Sequence, residues 1–237
     1  MQTATLPGFA GYLNAQSTAA AARRAGVTLP ALTLSRECGA QALTIAKILA
    51  DDLNSREERN GAPPWTIFDR ELVERVMAEH KLPRLAARYM PEDLMPQLRT
   101  AFEELLGLHP SRIALLQFTN ETILHLARAG HSIIVGRGGS IVTANLPNVL
   151  HVRLIAPLEG RVREIAAQLN LTSAEAREHV EKTDRARRRY LRQSFSAPID
   201  DPLAYHLTIN TGIVPSKEAA AVIAEAVKRL GERLDGR

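Results

Sequence analysis

The amino-acid sequence predicts an α/β protein in which helices cover both faces of a parallel sheet. Short apolar runs alternate with helix-length segments along the 237 residues, as in successive β-α-β units. Hydrophobic residues make up 45% of the chain but aromatic residues only 4%, a composition that favours an aliphatic, largely helical core over an all-β fold. The apolar run Ser132–Val135 ends in a glycine-rich turn, which is the pattern of a strand buried on both faces.

Strands and helices can be placed along the chain from this alternation. The predicted strands are residues 31–34, 65–68, 132–135, 149–155 and 206–210. The predicted helices are residues 43–53, 69–79, 159–169, 173–192 and 216–230, and residues 81–130 form an almost wholly helical pattern that prolines interrupt. In a parallel sheet, ligands bind beyond the carboxyl ends of the strands. We therefore expect one crevice between the loops at residues 35–42, 69–70, 136–139 and 210–212.

The chain is predicted to contain one domain, residues 31–237, after an N-terminal extension of residues 1–30. The extension holds an Ala-rich helical stretch that Gly26 and Pro30 end. Its lack of acidic residues weakly resembles a transit sequence, but a helix packed on the domain is the favoured interpretation. Within the domain, residues of about 69–130 are expected to form an inserted helical subdomain.

Composition limits the partners that the chain can have. Lys and Arg outnumber Asp and Glu by 30 to 26, and the net charge of +4 favours anionic partners. The lone Cys38 excludes an intramolecular disulfide framework and a cysteine-rich metal site, and it fits the reducing cytoplasm that we expect. The histidines show no ligand spacing, so no protein metal site is predicted. No apolar run is long enough to span a bilayer, so no membrane partner is expected.

Residues 35–44 occupy the place of a phosphate-binding loop, between the first strand and its helix. Such a P-loop uses glycines so that its backbone N–H groups can surround a phosphate at the helix N-terminus. Only Gly39 and Thr44 match, and the G-x-x-x-x-G-K-[ST] signature is absent. From this pattern alone, an ordinary strand-to-helix turn remains an open alternative.

Several blocks of the chain resemble, in order and spacing, the cytidylate kinase-like family. The blocks are Ser35-Arg36-Glu37 with Gly39 and Ile45-Ala46-Lys47, then residues 68–72, 133–138, 156–161, 184–190, 201–207 and 209–211. They cover about residues 32–230. The resemblance implies a P-loop nucleoside-monophosphate kinase fold and a kinase that moves the γ-phosphate of ATP, with Mg²⁺, onto CMP or dCMP. It makes residues of about 69–130 the monophosphate-binding insertion and residues of about 173–200 a lid.

The resemblance also assigns catalytic residues. Arg137 matches the arginine of the family's Gly-Arg-Asp, which binds the substrate nucleotide, whereas Gly138 stands where the family has the aspartate. Asp184 and Arg187 match the lid pair that closes over the phosphates. The family lacks the usual P-loop lysine, and Arg36 is our candidate to replace it. The expected catalytic residues are therefore Arg36, Arg137, Asp184 and Arg187.

The same resemblance places ATP and the mouth of the substrate site. The expected ATP-binding residues are Gly39, Ala40, Gln41, Ala42, Leu43 and Thr44, with Arg185 and Arg188 assisting. Four of them, residues 40–43, replace the family's Ser-Gly-Gly-Arg, so the loop has lost two glycines and a cation. Asp69 and Arg70 are expected to bind substrate beside Arg137 and Gly138, although capping of the next helix would explain them equally well.

Three functions stay open on this evidence. The first is a cytidylate-type kinase, and the second is a nucleotide-binding protein of the same fold that has lost phosphoryl transfer and serves regulation. The third is a nucleic-acid binder that uses the arginines of residues 185–192, but no aromatic platform beyond Tyr190 supports it, and a solvated charged face explains these arginines as well. Small nucleotides are the expected partners, and self-association into a homo-oligomer is left open.

Overall fold

A five-stranded parallel sheet forms the centre of the protein. The structure is a computed structural model, and it describes residues 28–57, 64–69 and 112–236. The strands are β1 (Ala31–Arg36), β2 (Thr66–Phe68), β3 (Ser132–Val135), β4 (Val149–Ile155) and β5 (Leu207–Asn210). Their order is β2-β3-β1-β4-β5, and every neighbouring pair is parallel. The predicted α/β class with a parallel sheet is confirmed.

Six helices surround the sheet within the described residues. They are α1 (Ala42–Glu57), α2 (Arg112–Ala129), α3 (Gly139–Val142), α4 (Leu158–Leu169), α5 (Ser173–Phe195) and α6 (Ser216–Asp235). Thr172 caps α5 in a reciprocal capping box with Glu175, which satisfies backbone donors at the start of the helix. The predicted helix at residues 69–79 and most of the predicted extension and insertion lie outside the described residues. The division into extension, insertion and lid therefore stays a prediction.

Helices cover both faces of the sheet, as predicted. The alternation of side chains along β1 places Leu32 and Leu34 on one face, where they pack with Ile45 of α1 and Ile223 of α6. On the other face, Ile134 of β3 and neighbouring apolar residues pack against α2. A smaller apolar cluster joins α4 to α5.

The strand order reverses at β1, because the chain first builds the sheet on the β3 side and then on the β4 side. Such a switch point opens a crevice beyond the carboxyl ends of the strands. The loop after β1 and the turn after β3 both lie at this edge. The topology therefore brings residues 37–41 and 136–138 to the same place.

A stacked histidine pair on the β4–β5 side of the sheet joins the buried His151 to the exposed His206. The Nδ1 atom of His151 lies 2.9 Å from the Thr33 hydroxyl, and the backbone N–H of His151 donates to Nδ1 of His206 at 2.8 Å. The two rings stack with 4.9 Å between their centroids. Burial, together with the neighbouring His206, lowers the pKa of His151 to about 4. His151 is therefore neutral at pH 7.

We expect His151 to make folding stability sensitive to acid. Its pKa is about 4 in the folded chain against an ordinary value of 6.5, so between these values the unfolded chain binds more protons. The free energy of unfolding therefore keeps this contribution above pH 6.5 and loses it as the pH falls towards 4. Between pH 7 and pH 5 we expect a loss of about 2 kcal/mol at most. Urea unfolding of the parent and of His151→Gln at both pH values measures this loss, and an equal loss in the two proteins would contradict the assignment.

Candidate functional site

A cavity of about 570 Å³ opens at the carboxyl ends of β1 and β3 and lies under α5. The end of β1, the glycine-rich turn after β3 and one face of α5 form its walls. Among the described residues that line it, none is Asp or Glu, and four carry a cationic side chain. The four are Arg36, Arg137, Lys182 and Arg187. A concave site with this charge attracts an anion.

Arg36 ends β1, and its guanidinium lies against the backbone of Gly136. Gly136 has φ +87°, and a Cβ atom at this position would overlap Nη1 of Arg36, so only glycine leaves room for this approach. Burial, together with the charge of the nearby Arg187, lowers the pKa of Arg36 to about 10. The arginine remains charged at neutral pH, but the other cations repel it. Negative charge in the cavity would relieve this repulsion.

Arg137 lies in the turn after β3 and lines the cavity. Its φ of +55° is costly for a residue with a side chain, a strain that is commonly retained at functional sites. The next residue, Gly138, has φ +72°, and a Cβ atom there would lie 2.5 Å from the Phe195 ring. The aspartate of the family pattern therefore cannot stand at position 138 unless Phe195 moves.

Helix α5 supplies the opposite wall of the cavity. Arg187 Nη1 donates to the backbone carbonyl of Arg36 at 3.3 Å, which joins α5 to the end of β1. Lys182 and His179 also line the cavity, and the sequence analysis missed both. They precede Arg187 by five and eight positions. A helical projection from Arg187 would have placed His179 on the same face.

Asp184 does not line the cavity but faces the loop between β1 and α1. Its Oδ1 accepts a hydrogen bond from the Cys38 backbone N–H at 2.8 Å, and its Oδ2 accepts one from Arg161 Nη1 at 2.6 Å. The Asp184 and Arg161 side chains are each only 9% exposed. Arg161 Nε also donates to the Ala156 carbonyl at 2.8 Å and lies 3.3 Å from a Glu37 carboxylate oxygen. Arg161 was not predicted at the site, because Asp184 and Cys38 are distant from it along the chain.

The loop between β1 and α1 is held closely by other elements. Gly39 has φ +80°, and a Cβ atom there would lie 2.6 Å from the Arg161 carbonyl oxygen. Gln41 has φ +55°; its amide donates to Glu164 at 3.1 Å, and its side-chain carbonyl accepts from the Ser216 hydroxyl. Helices α4, α5 and α6 thus all fix the conformation of this loop.

The remaining predicted loop residues differ in exposure. Ala40 and Ala42 are buried, whereas Leu43 and Thr44 are exposed at the first turn of α1. Burial raises the pKa of the Cys38 thiol, so this residue is not an activated thiolate at neutral pH.

The other predicted site residues lie at the margins. The charge of Asp69 raises the pKa of Arg36, so Asp69 is near the cavity, and Arg70 lies outside the described residues. Arg185 and Arg188 are exposed and do not line the cavity. Arg185 lies 3.4 Å from Glu181, and Arg188 lies 3.5 Å from Asp200. Exposed ion pairs of this kind contribute little to stability.

A buried arginine below the cavity was also missed by the sequence analysis. Arg153 of β4 donates to the Ser35 hydroxyl at 3.0 Å and to Asp200 at 2.6 Å, and its guanidinium lies over the Tyr205 ring. Because Ser35 lines the cavity, this network ties the cavity floor to the segment that follows α5.

Within the part of the chain that the structure describes, no group of three or more His, Cys, Asp or Glu residues could hold a metal ion. No helix in the same part is long and apolar enough to cross a membrane.

One known family matches most of this chain. The model of the family described as "Cytidylate kinase-like family" matches residues 31–213. The chain belongs to the cytidylate kinase-like family. The resemblance drawn from the sequence is thereby confirmed, and the protein is kinase-like by family.

Two solved structures align with most of this chain. An uncharacterized protein from Eubacterium ventriosum is 16% identical, with a TM-score of 0.62 over 84% of this chain and 98% of that chain. This likeness shows the fold. A shikimate kinase from Acinetobacter baumannii in complex with shikimate is 15% identical, with a TM-score of 0.46 over 87% of this chain and 97% of that one.

A curated relative matches a shorter part of the chain. A uronate isomerase of Corynebacterium glutamicum is 28% identical over 97 residues, which are 41% of this chain. The match spans 19% of the length of that enzyme.

We expect Gly39→Ala to destabilise the protein by about 2–4 kcal/mol, because the new Cβ atom would meet the α4 backbone and the residue would keep a positive φ. Gly160→Ala is the matched control within α4 itself, since the nearest atom to its Cβ would be a flexible Arg163 nitrogen at 4.0 Å. That control should be neutral or stabilising by about 0.5–1 kcal/mol. Urea unfolding compares the two, and equal stabilities would show that the loop does not need this close contact.

Proposed function

We propose that the protein is a phosphotransferase that moves the γ-phosphate of ATP onto a nucleoside monophosphate of the CMP or dCMP type. Membership of the cytidylate kinase-like family supports the reaction class. The observation that carries the proposal is the cationic cavity, which gathers four positive side chains at the carboxyl edge of the sheet and has no acidic residue among its described lining. Phosphoryl transfer depends mainly on positioning and on neutralising phosphate charge, and this cavity has the charge for both.

In this proposal Arg36, Arg137 and Arg187 bind the phosphate of the acceptor nucleotide. All three line the cavity, and they come from a strand end, a turn and a helix, so they can surround a phosphate from different sides. The volume of about 570 Å³ suits a ligand of this size, because small-molecule sites commonly measure about 300–1,000 Å³. Asp69 and Arg70 would lie at the entrance.

The acceptor base must be recognised without the aspartate of the family pattern, because Gly138 makes room for Phe195. Thr33, Ser35 and Ser140 line the cavity, and a hydroxyl group can both donate and accept hydrogen bonds, with the Thr33 and Ser35 hydroxyls already in contact with His151 and Arg153. We propose that they replace the missing carboxylate.

The proposed binding site for ATP, the phosphate donor, fits the structure less well than the acceptor cavity. In the family pattern ATP would lie on residues 39–44, with Arg36 in place of the lysine and Arg185 and Arg188 assisting. In this structure the Cys38 N–H is already bonded to Asp184, and Gly39 is packed against Arg161. As the loop stands, the Cys38 N–H is therefore not available to a phosphate oxygen. Mg²⁺ commonly enters such sites together with the nucleotide phosphates, and we propose it as the accompanying ion.

The occupied loop favours a second candidate, a nucleotide-binding protein of the same fold that has lost phosphoryl transfer and serves regulation. Such a protein would keep the cationic cavity and bind a nucleotide there. In both proposals the partners are small nucleotides, and the buried lone cysteine is compatible with a cytoplasmic location.

A coupled assay separates the two candidates. With ATP, Mg²⁺ and a high protein concentration, we expect slow ADP formation that is faster with CMP or dCMP than with AMP, GMP or UMP. Omission of Mg²⁺ or of the acceptor is the control. Tight CMP binding in calorimetry with no turnover on any monophosphate would reject the kinase and favour the second candidate.

We expect Arg137→Ala to weaken CMP binding by about 10- to 100-fold, because it removes a charge-assisted contact to phosphate. ATP affinity should be nearly unchanged, since Arg137 lines the acceptor cavity and not the β1–α1 loop. Arg229→Ala is the matched control, because it removes the same charge from an exposed position on α6 that pairs with Glu225. Equal losses for CMP and ATP in calorimetry would contradict this placement.

A further inference from the structure

We propose that Asp184 competes with the nucleotide phosphate for the loop between β1 and α1, and that Arg161 positions it there. The loop's own carboxylate partner would then have to leave before a triphosphate can bind. In placing a triphosphate on this loop, the inference rests on the proposed function.

The contact between Asp184 and the loop has the chemistry of a phosphate contact. A backbone N–H in a turn before a helix is the kind of donor that binds phosphate oxygens, and here the Cys38 N–H donates to a carboxylate oxygen at 2.8 Å. Asp184 is buried, so this charge-assisted bond is little weakened by water. A phosphate oxygen and the carboxylate cannot both take this donor.

Arg161 holds the carboxylate in this position from below. Its Nη1 donates both to Asp184 Oδ2 at 2.6 Å and to the Cys38 carbonyl at 3.2 Å. One guanidinium nitrogen therefore binds both the carboxylate and the loop backbone. Its Nε is fixed by the Ala156 carbonyl and faces Glu37. Arg161 is therefore a positioning residue, which acts on the loop through Asp184.

Arg187 connects this contact to the cationic cavity. It lines the cavity, and its Nη1 lies 3.5 Å from Asp184 Oδ1, one turn earlier on the same helix. A phosphate in the cavity would attract Arg187 and remove part of the positive charge that stabilises the Asp184 carboxylate. Occupation of the acceptor site should thus loosen Asp184 from the loop. By thermodynamic linkage, CMP and MgATP would each raise the affinity for the other by the same factor.

Calorimetric titration of the full chain with MgATP tests the competition. Asp184→Asn removes the charge at nearly constant shape, and we expect it to bind MgATP about tenfold more tightly than the parent, equivalent to about 1.4 kcal/mol. Glu181→Gln is the matched control, because it makes the same charge change less than one turn away, at an exposed carboxylate that pairs with Arg185. If the substitution merely damaged the fold, MgATP would bind more weakly, so a higher MgATP affinity points to release of the loop.

A second measurement needs no substitution. MgATP affinity of the parent is measured with and without saturating CMP, and we expect CMP to raise it by about fivefold or more. If Asp184→Asn does not fold, this measurement decides alone, and independent binding of the two ligands overturns the proposal. If Asp184→Asn folds and binds MgATP no more tightly than the parent, or if Glu181→Gln gives the same gain, the proposal is also wrong.

The outcomes separate this inference from the proposed function. Tighter MgATP binding without ADP formation would keep the competition and reject the kinase. ADP formation by the parent with no gain in Asp184→Asn would keep the kinase and reject the competition.

Discussion

The accumulation of positive charge at the carboxyl ends of β1 and β3 is the constraint on which the rest of the site depends. Arg36 lies against Gly136, and its burial, together with the nearby charges of Arg187 and Arg137, lowers its pKa to about 10. The fold does not neutralise this cluster with an acidic residue among the described lining of the cavity. The acidic residues lie around it: Asp69 near Arg36, Asp184 on the loop, and Asp200 behind β4. These surrounding carboxylates partly offset the repulsion within the cluster, while the cavity itself keeps a positive charge that attracts an external anion.

Helix α5 distributes these charges because its period places successive residues on different sides. Lys182 and Arg187 face the cavity, Asp184 faces the loop, and Arg185 and Arg188 face solvent. Burial of apolar residues of α5 against α4 fixes its rotation about its own axis. A single rotation of α5 would therefore change the cavity and the loop together. This coupling is a physical basis for communication between the two nucleotide positions that we propose.

Much of the fold could be predicted because local signals coincide with the sheet. Strands β3 and β4 have the predicted bounds, since each is a continuous apolar or alternating run that ends at glycine or proline. Helix α5 continues past the predicted Arg192 to Phe195, because Phe195 packs against Gly138 and edge-on against Tyr190. These contacts are tertiary and leave no mark in the local pattern.

The candidate site was predictable only in part for the same reason. Arg36 ends β1 and Arg137 lies in the turn after β3, so their position at the carboxyl edge of the sheet could be predicted from topology, and Arg187 came from the family resemblance. The role of Arg161 could not be found this way. It depends on Asp184 and Cys38, which are 23 and 123 positions away. Only the folded chain brings these three together.

The departure of the loop from the family pattern is better explained by replacement of contacts than by simple loss of glycines. Gln41 stands where the family has glycine and keeps φ +55°, which costs about 1–2 kcal/mol for a residue with a side chain. Its hydrogen bonds to Glu164 and Ser216 offset this cost. Gly39, which is kept, lies where a Cβ atom would meet Arg161. The loop is thus stabilised in one conformation around the Asp184 carboxylate. A nucleotide that binds here must therefore displace existing interactions, and does not enter an open, glycine-rich loop.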